Sequence, residues 1–216
     1  MKKHRDALER IRRELEAHDL VDSDIQRAID LLKAQIAEIP EARMAIGGGL
    51  PAPLELKNFN EGLALYTDGA CRGNPGPGSW ACVAQTADGA IQFESAGHEA
   101  LTTNNKMEIQ AVIGAFHQLE QHLLSHPFVH PKPVLLFTDS KYVVDGLNQW
   151  VPGWKARGWK KADGKAPENL ELWQELDSLK LKFPELKVGW VKGHNGHPQN
   201  EYCDQLANRL LDDEGF

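Results

Sequence analysis

Two short apolar runs each stop on an aspartate: Leu63 to Thr67 ends at Asp68-Gly69, and Pro133 to Thr138 ends at Asp139. Runs of this length, bounded by turn residues, read as buried strands rather than helices. Trp80 to Gln85 and Ile91 to Ala96 read as two more strands, joined through Asp88-Gly89, a two-residue hairpin signal. Between the first two strands, Gly73-Asn74-Pro75-Gly76-Pro77-Gly78 is punctuated as a tight loop. Helical spacing follows over 103–123, with Met107, Ala111 and Ala115 on one face, and again over 168–182 and 200–212, with a strand at 186–191 between them. Strands succeeded by alternating helices and strands predict an α/β fold, a mixed sheet covered by helices.

Upstream the period changes. Leu8, Ile11 and Leu15 fall on one helical stripe of residues 2–17, and Ile25, Ile29, Leu32 and Ile36 on another of residues 23–38. Asp22 or Ser23 is a plausible N-cap between them. Residues 1–39 therefore read as a helical hairpin. Pro40, Gly47-Gly48-Gly49, Pro51 and Pro53 mark 40–60 as a linker, leaving 61–216 as the main domain. The hairpin's charges nearly balance, ten basic against eleven acidic through Asn60, which disfavours a nucleic-acid grip. Its two stripes make too little core to stand alone, so it is expected to pack on the main domain, on a second copy in a homodimer, or on a protein partner.

The chain of 216 residues allows one good core plus a small appendage, and its net charge of -7 excludes a generally basic coat. Cys71, Cys82 and Cys203 are odd in number and far apart, with neither zinc spacing nor a disulfide framework, which points to a reducing compartment and a cytoplasmic location. The N-terminus is charged throughout, unlike a signal peptide, and nothing approaches the ~20 apolar residues of a membrane span.

Two further acids accompany Asp68 and Asp139: Glu108 in TTNNKMEIQA and Asp204 in NEYCDQLA. Each has a bland explanation. Asp68-Gly69 reads equally as a turn, Glu108 as the far end of a capping box from Asn105 (with Thr103 a rival cap), Asp139 as a helix cap, and Asp204 as a dipole partner near the start of the last helix. Taken together they read differently. Strand ends gather ligands in α/β sheets, and inward acids need a partner. No basic residues are spaced to pair with all four. A hard, oxygen-seeking cation, magnesium or manganese, is the economical answer, and the chain reads as a metal-dependent nuclease.

Other polar motifs support a nucleic-acid ligand. Trp150, Trp154 and Trp159 interleave with Lys155, Arg157, Lys160 and Lys161, with no acid from Trp150 to Lys161. This is either a helix packing its tryptophans into the core or a surface that holds phosphates. Lys192-Gly193-His194-Asn195-Gly196-His197-Pro198 is a glycine-flanked loop whose histidines are able to move protons near neutral pH, or are two surface residues. In the series His117, His122, His126 and His130, His122 and His126 have i,i+4 spacing, but Pro127 ends the helix there and no third metal ligand is obvious.

The segments YTDGACRGNPGPGSWA, TTNNKMEIQA, FTDSKYV, NQWVPGWKARGWK, LWQEL and WVKGHNGHPQNEYCDQLA, in this order over residues 62–212, resemble the bacterial type 1 ribonuclease H family. The resemblance implies a ribonuclease H-like fold, a five-stranded mixed sheet flanked by helices, with the N-terminal helical appendage added. It implies endonucleolytic cleavage of the RNA strand of RNA–DNA hybrids with two magnesium ions, leaving 3′-hydroxyl and 5′-phosphate ends. The metal-binding carboxylates would be Asp68, Glu108, Asp139 and Asp204, and the proton-transferring histidine His194, with His197 structural. Cys71, Gly73, Asn74, Asn104 and Asn105 match substrate contacts, Thr103 a DNA-phosphate contact, and the tryptophan–basic segment a protrusion that grips the DNA strand. Lys141, where Gln is frequent, and Pro152 and Ala156 in the protrusion depart from the commoner pattern. A binding module with a dead centre, and a junction resolvase or transposase of the same fold, are the competing readings. The four acids with His194 argue against the first, and the substrate-contact motifs against the second.

Overall fold

The computed structural model describes residues 49–126, 131–193 and 195–216, together with Arg12, Arg13, Ile25, Gln26, Arg27 and Ile29, all six of them helical. The rest of the expected hairpin 1–39 lies outside the described residues. Contacts divide the chain into two compact units, Met1–Gly49 and Leu50–Phe216.

The second unit is built on five strands: β1 (Leu63–Cys71), β2 (Gly76–Thr86), β3 (Ile91–Thr102), β4 (Val134–Thr138) and β5 (Lys187–Trp190). Their order is β3-β2-β1-β4-β5, as expected for a mixed sheet. β1, β2 and β3 pair antiparallel, whereas β4 pairs parallel with β1 and β5 parallel with β4. The helices are α1 (Asn104–Ser125), α2 (Lys141–Asp145), α3 (Val151–Ala156), α4 (Leu170–Lys182) and α5 (Pro198–Asp213), with a wider π turn over Gly146–Trp150 joining α2 to α3.

Strand alternation splits the core in two. Leu63 and Leu65 of β1, with Cys82 and Ala84 of β2, face α1 and α4 through Ile109, Val112, Phe116, Trp173 and Leu176. Ala64 and Tyr66, with Ala81 and Val83, face α5 through Cys203 and Ala207. Because both faces are covered, β1 is apolar at consecutive positions rather than alternate ones.

Two expectations need correction. The residues Gly76 to Gly78 belong to β2, not to a loop, because they pair with β3 and with Cys71. The stretch 50–60, expected as linker, belongs to the second unit. Leu54–Leu56 forms a 3-10 turn, Leu56 is fully buried in the α5-side core, and the Glu55 carboxylate accepts from the Tyr66 hydroxyl at 2.7 Å. A three-residue turn is too short for its burial to show as a period.

Candidate metal centre and nucleic-acid interface

β1 and β4 run in parallel register from Leu63–Val134 to Thr67–Thr138, where β4 stops. β1 does not end there, as the sequence suggests. It continues beside β2 to Cys71, with Asp68 opposite Ala81. Asp68 and Asp139 thus emerge where the parallel pairing ends. Glu108 arrives from α1, which touches β1 at Gly69: a Cβ there would lie 2.5 Å from the Glu108 backbone nitrogen, so only glycine admits this approach. Carboxylate oxygens of Asp68, Glu108 and Asp139 all lie within 4.8 Å of one another, and this trio is the one such group of metal-ligand type among the described residues.

The two cap roles open to these acids are taken by neighbours. Thr103 caps α1, accepting from Lys106 N at 3.4 Å, which frees Glu108. Ser140 caps α2, accepting from Val143 N at 3.3 Å, which frees Asp139. Asp204 lies in the second turn of α5, half-buried, and accepts from Asn208 Nδ2 at 2.9 Å. It stands outside the tight trio, yet its charge reaches Asp68.

The electrostatics are strained without a cation. Burial, then the charges of Glu108, Asp139 and Asp204, push the Asp68 carboxyl up to about 9. Burial, then Asp139, push Glu108 up to about 8. Glu108 Oε1 accepts from Asn104 Nδ2 at 3.4 Å, while its Oε2 is buried with no hydrogen-bond partner. An orphaned buried oxygen among crowded carboxyls fits a divalent metal, and the all-oxygen donor set suits a hard ion.

Asp139 is held from three directions. Asn200 Nδ2 donates to its Oδ2 at 3.2 Å, Trp190 Nε1 donates to its carbonyl at 2.9 Å, and Gly193 packs so closely that a Cβ would collide with its carboxylate. Sequence reasoning did not single out Asn200 or Trp190. The four-residue step from Asn200 to Asp204, one helical face, is the signal that would have found the first. His197, expected as structural, caps α5 by accepting from Asn200 N at 3.4 Å. His194 lies outside the described residues.

The expected substrate contacts gather beside the carboxylates. Asn74 Oδ1 accepts from Asn104 N at 3.3 Å, and Cys71 Sγ lies 2.6 Å from the Gly73 carbonyl and 3.6 Å from that of Thr102. Gly73 takes a positive φ of 87°, and Asn74 and Asn105 are exposed. In the basic segment, packing decides between the two readings of the tryptophans. Trp154 and Trp159 are half-buried against the main core, and Trp154 meets Trp173 edge-on at 5.8 Å and Trp150 at 5.9 Å. They form a scaffold, and Lys155, Arg157 and Lys160 are what the segment exposes, Lys161 being half-buried. Lys155 is paired with Asp177 at 2.7 Å. Lys141 lies 5.0 Å over the ring of Trp190, next to Asp139. The His122 and His126 rings lie 4.5 Å apart, tilted by 32°, without a third ligand among the described residues, and His130 lies outside them.

Comparison with known proteins bears on this geometry. The family model described as RNase H matches residues 60–211. The ribonuclease H of Cupriavidus necator is 48% identical over 153 residues, 71% of this chain and 97% of that protein. That of Cupriavidus pinatubonensis is 50% identical over 147 residues, 68% of this chain and 93% of that protein. Among solved structures, LC9-RNase H1, a type 1 RNase H with the type 2 active-site motif, superimposes with a TM-score of 0.58 at 37% identity, covering 70% of this chain and 72% of that one. LC11-RNase H1 in complex with an RNA/DNA hybrid shares the fold with a TM-score of 0.52 at 24% identity, covering 69% and 99%.

Proposed function

The chain belongs to the RNase H family, and from that premise we propose that it is an endonuclease hydrolysing the RNA strand of RNA–DNA hybrids with little regard to sequence. The observation that carries this is the convergence of Asp68, Glu108 and Asp139 within 4.8 Å inside the matched segment, beside an orphaned Glu108 oxygen.

The family needs a divalent metal, and our reading is two magnesium ions, with manganese as a substitute, held by Asp68, Glu108, Asp139 and Asp204. When bound, they supply an activated water on one side of the scissile phosphate and charge stabilisation for the leaving oxygen on the other. The protein's own work is position and charge. Asn200 and Trp190 orient Asp139. His194 is assigned the proton transfer that accompanies attack and release, a task suited to imidazole, which ordinarily exchanges a proton near neutral pH. Cys71, Gly73, Asn74, Asn104 and Asn105 are assigned to the hybrid's minor groove, where Asn side chains both donate to and accept from the ribose 2′-hydroxyl, the group that tells RNA from DNA. Thr103 and the first turn of α1 suit a DNA phosphate. Lys155, Arg157, Lys160 and Lys161, carried on Trp150, Trp154 and Trp159, are assigned to the DNA backbone, which positions the duplex without reading bases.

We assign the protein to the cytoplasm. Cys71, Cys82 and Cys203 are free, and no helix among the described residues is long and apolar enough to cross a membrane. Residues 1–39 are proposed as an interaction appendage, for self-association or for a protein partner. Sedimentation of the whole chain against one beginning at Leu50 tests this; equal oligomeric states, with no partner lost, would remove the idea.

The test of activity uses labelled RNA–DNA hybrid, double-stranded RNA and double-stranded DNA, each with magnesium or with chelator. Cleavage of the hybrid alone, only with metal, with 5′-phosphate products, is expected. Cleavage of double-stranded DNA, or of any substrate in chelator, would sink the reading.

A further inference from the structure

The polar cluster at the start of α5 is completed by a residue from outside the matched segment. Glu55 lies upstream of residues 60–211, in the Leu54–Leu56 turn. Its Oε2 accepts from the Tyr66 hydroxyl at 2.7 Å, and its Oε1 lies 2.8 Å from His197 Nε2. The His197 and Glu55 side chains are only 20% and 21% exposed. The same turn of α5 is tied upstream a second time, since Gln199 Nε2 donates to the Pro51 carbonyl at 2.8 Å and to Gln85 Oε1 at 3.0 Å.

The chemistry of His197 makes this contact directional. Its Nδ1 accepts the Asn200 backbone N–H, so Nδ1 carries no proton and the ring proton sits on Nε2. A carboxylate facing Nε2 is the acceptor that selects this tautomer. Glu55 is suited to it: burial pushes its carboxyl up, but hydrogen bonds from His197 and Tyr66 more than offset this and hold it below the ordinary range. The capped residue, Asn200, is the one whose Nδ2 donates to Asp139 Oδ2.

We propose that Glu55 is a positioning residue for the metal centre: by fixing His197 as its Nε2–H tautomer, it seats the first turn of α5 so that Asn200 orients the Asp139 carboxylate. The chain of contacts runs from Glu55 to His197 to Asn200 to Asp139, joining a segment ahead of the family core to the site. This rests on the metal-dependent reading above.

The test uses the whole chain with Glu55→Ala and Glu55→Gln. Long-range 15N–1H correlation reports the His197 tautomer, with its signals assigned by their loss in His197→Asn. Calorimetry with magnesium alone reports metal affinity, and kinetics on the hybrid report kcat and KM. Removing a partner of a metal ligand commonly costs 10–100-fold in affinity, and Glu55 acts one step further out, so Glu55→Ala should weaken magnesium binding by about threefold to tenfold. It should also mix the tautomers and lower kcat, with KM for the hybrid within about twofold, because no substrate contact is removed. Glu55→Gln keeps an oxygen to accept from Nε2–H and should restore both tautomer and affinity. Wild-type tautomer and magnesium affinity in Glu55→Ala would overturn the proposal. So would a mixed tautomer with unchanged affinity, or a folded Glu55→Gln that rescues neither. Tautomer and calorimetry need no turnover, so a wild type that fails to cut the hybrid defeats the proposed function alone.

Discussion

Replacing Asp68 by asparagine should abolish hydrolysis and yet stabilise the metal-free protein. Burial and the neighbouring acids push the Asp68 carboxyl from its ordinary 3.8 up to about 9. In the unfolded chain that group is ionised at pH 7, so folding without metal has to bind a proton there. The gap between 3.8 and pH 7, at about 1.4 kcal/mol per pH unit, comes to about 4 kcal/mol. Because the folded pKa is the higher one, this cost is absent below the unfolded value, grows as pH rises through it, and levels off above about 9. Asparagine carries no charge and needs no proton. Its amide must find its own partners in the same cramped space, which offsets about 1–2 kcal/mol. The remaining gain of about 2–3 kcal/mol, at roughly 2–4 °C per kcal/mol for a chain of this size, predicts a melting temperature higher by about 4–12 °C. The assay is thermal unfolding by circular dichroism of both proteins in chelator at pH 4, 7 and 8.5, then in magnesium. The advantage should vanish toward pH 4. In magnesium the order should narrow or reverse, since ions at a hundred times their Kd stabilise the wild type by about 2.7 kcal/mol. A variant that melts no higher than wild type at pH 7 in chelator, or whose advantage ignores pH, would refute the claim that these carboxyls crowd one another.

A chain beginning at Asn60 should melt about 10 °C below one beginning at Leu50, because it loses a fully buried Leu56, worth about 2–3 kcal/mol, and the Glu55 hydrogen bonds; equal melting would return 50–60 to the status of linker. Combined Lys155→Ala, Arg157→Ala and Lys160→Ala should weaken hybrid binding and lower the slope of log affinity against log salt by about 2, less than three full contacts because Lys155 is already paired with Asp177. An unchanged slope in filter binding would remove the segment from the interface. His194→Ala should slow turnover by about a hundredfold or more while the magnesium titration stays put; an unaltered rate would dismiss its proton-transfer role.

Much of the sheet is legible in the sequence because its signals are local. The Asp88-Gly89 hairpin, the apolar runs at Leu63 and Val134, and the 3.6-residue period of α1, α4 and α5 each fit within one element. What escapes is whatever depends on a distant partner. Asp68-Gly69 looks like a strand end, but a strand ends separately against each neighbour: β1 leaves β4 after Thr67 and stays with β2 to Cys71. The tryptophans of Trp150 to Trp159 have the same composition whether they stack on a ligand or on Trp173, and only packing separates the two. Asn200 meets Asp139 across 61 positions and His197 meets Glu55 across 142, so no period or motif spacing links them.

The carboxylates show why motif and structure weigh differently. From the sequence, each acid has a local use that would satisfy it as cap, turn or dipole partner. In the structure three of them lose those uses: Thr103 and Ser140 supply the caps in place of Glu108 and Asp139, and Asp68 sits inside a paired strand, while Asp204 stays in the second turn of α5. Asp68, Glu108 and Asp139 are therefore free of cap and turn duties and crowd one another, and that crowding, added to burial, raises the carboxyls of Asp68 and Glu108. A fold that spends its serine and threonine on helix ends, while leaving Glu108 Oε2 buried and unpartnered, is destabilised by its own centre until a cation arrives. Stability gained on metal addition, greatest where the acids are most ionised, is thus the property that separates a metal centre from four coincident acidic motifs.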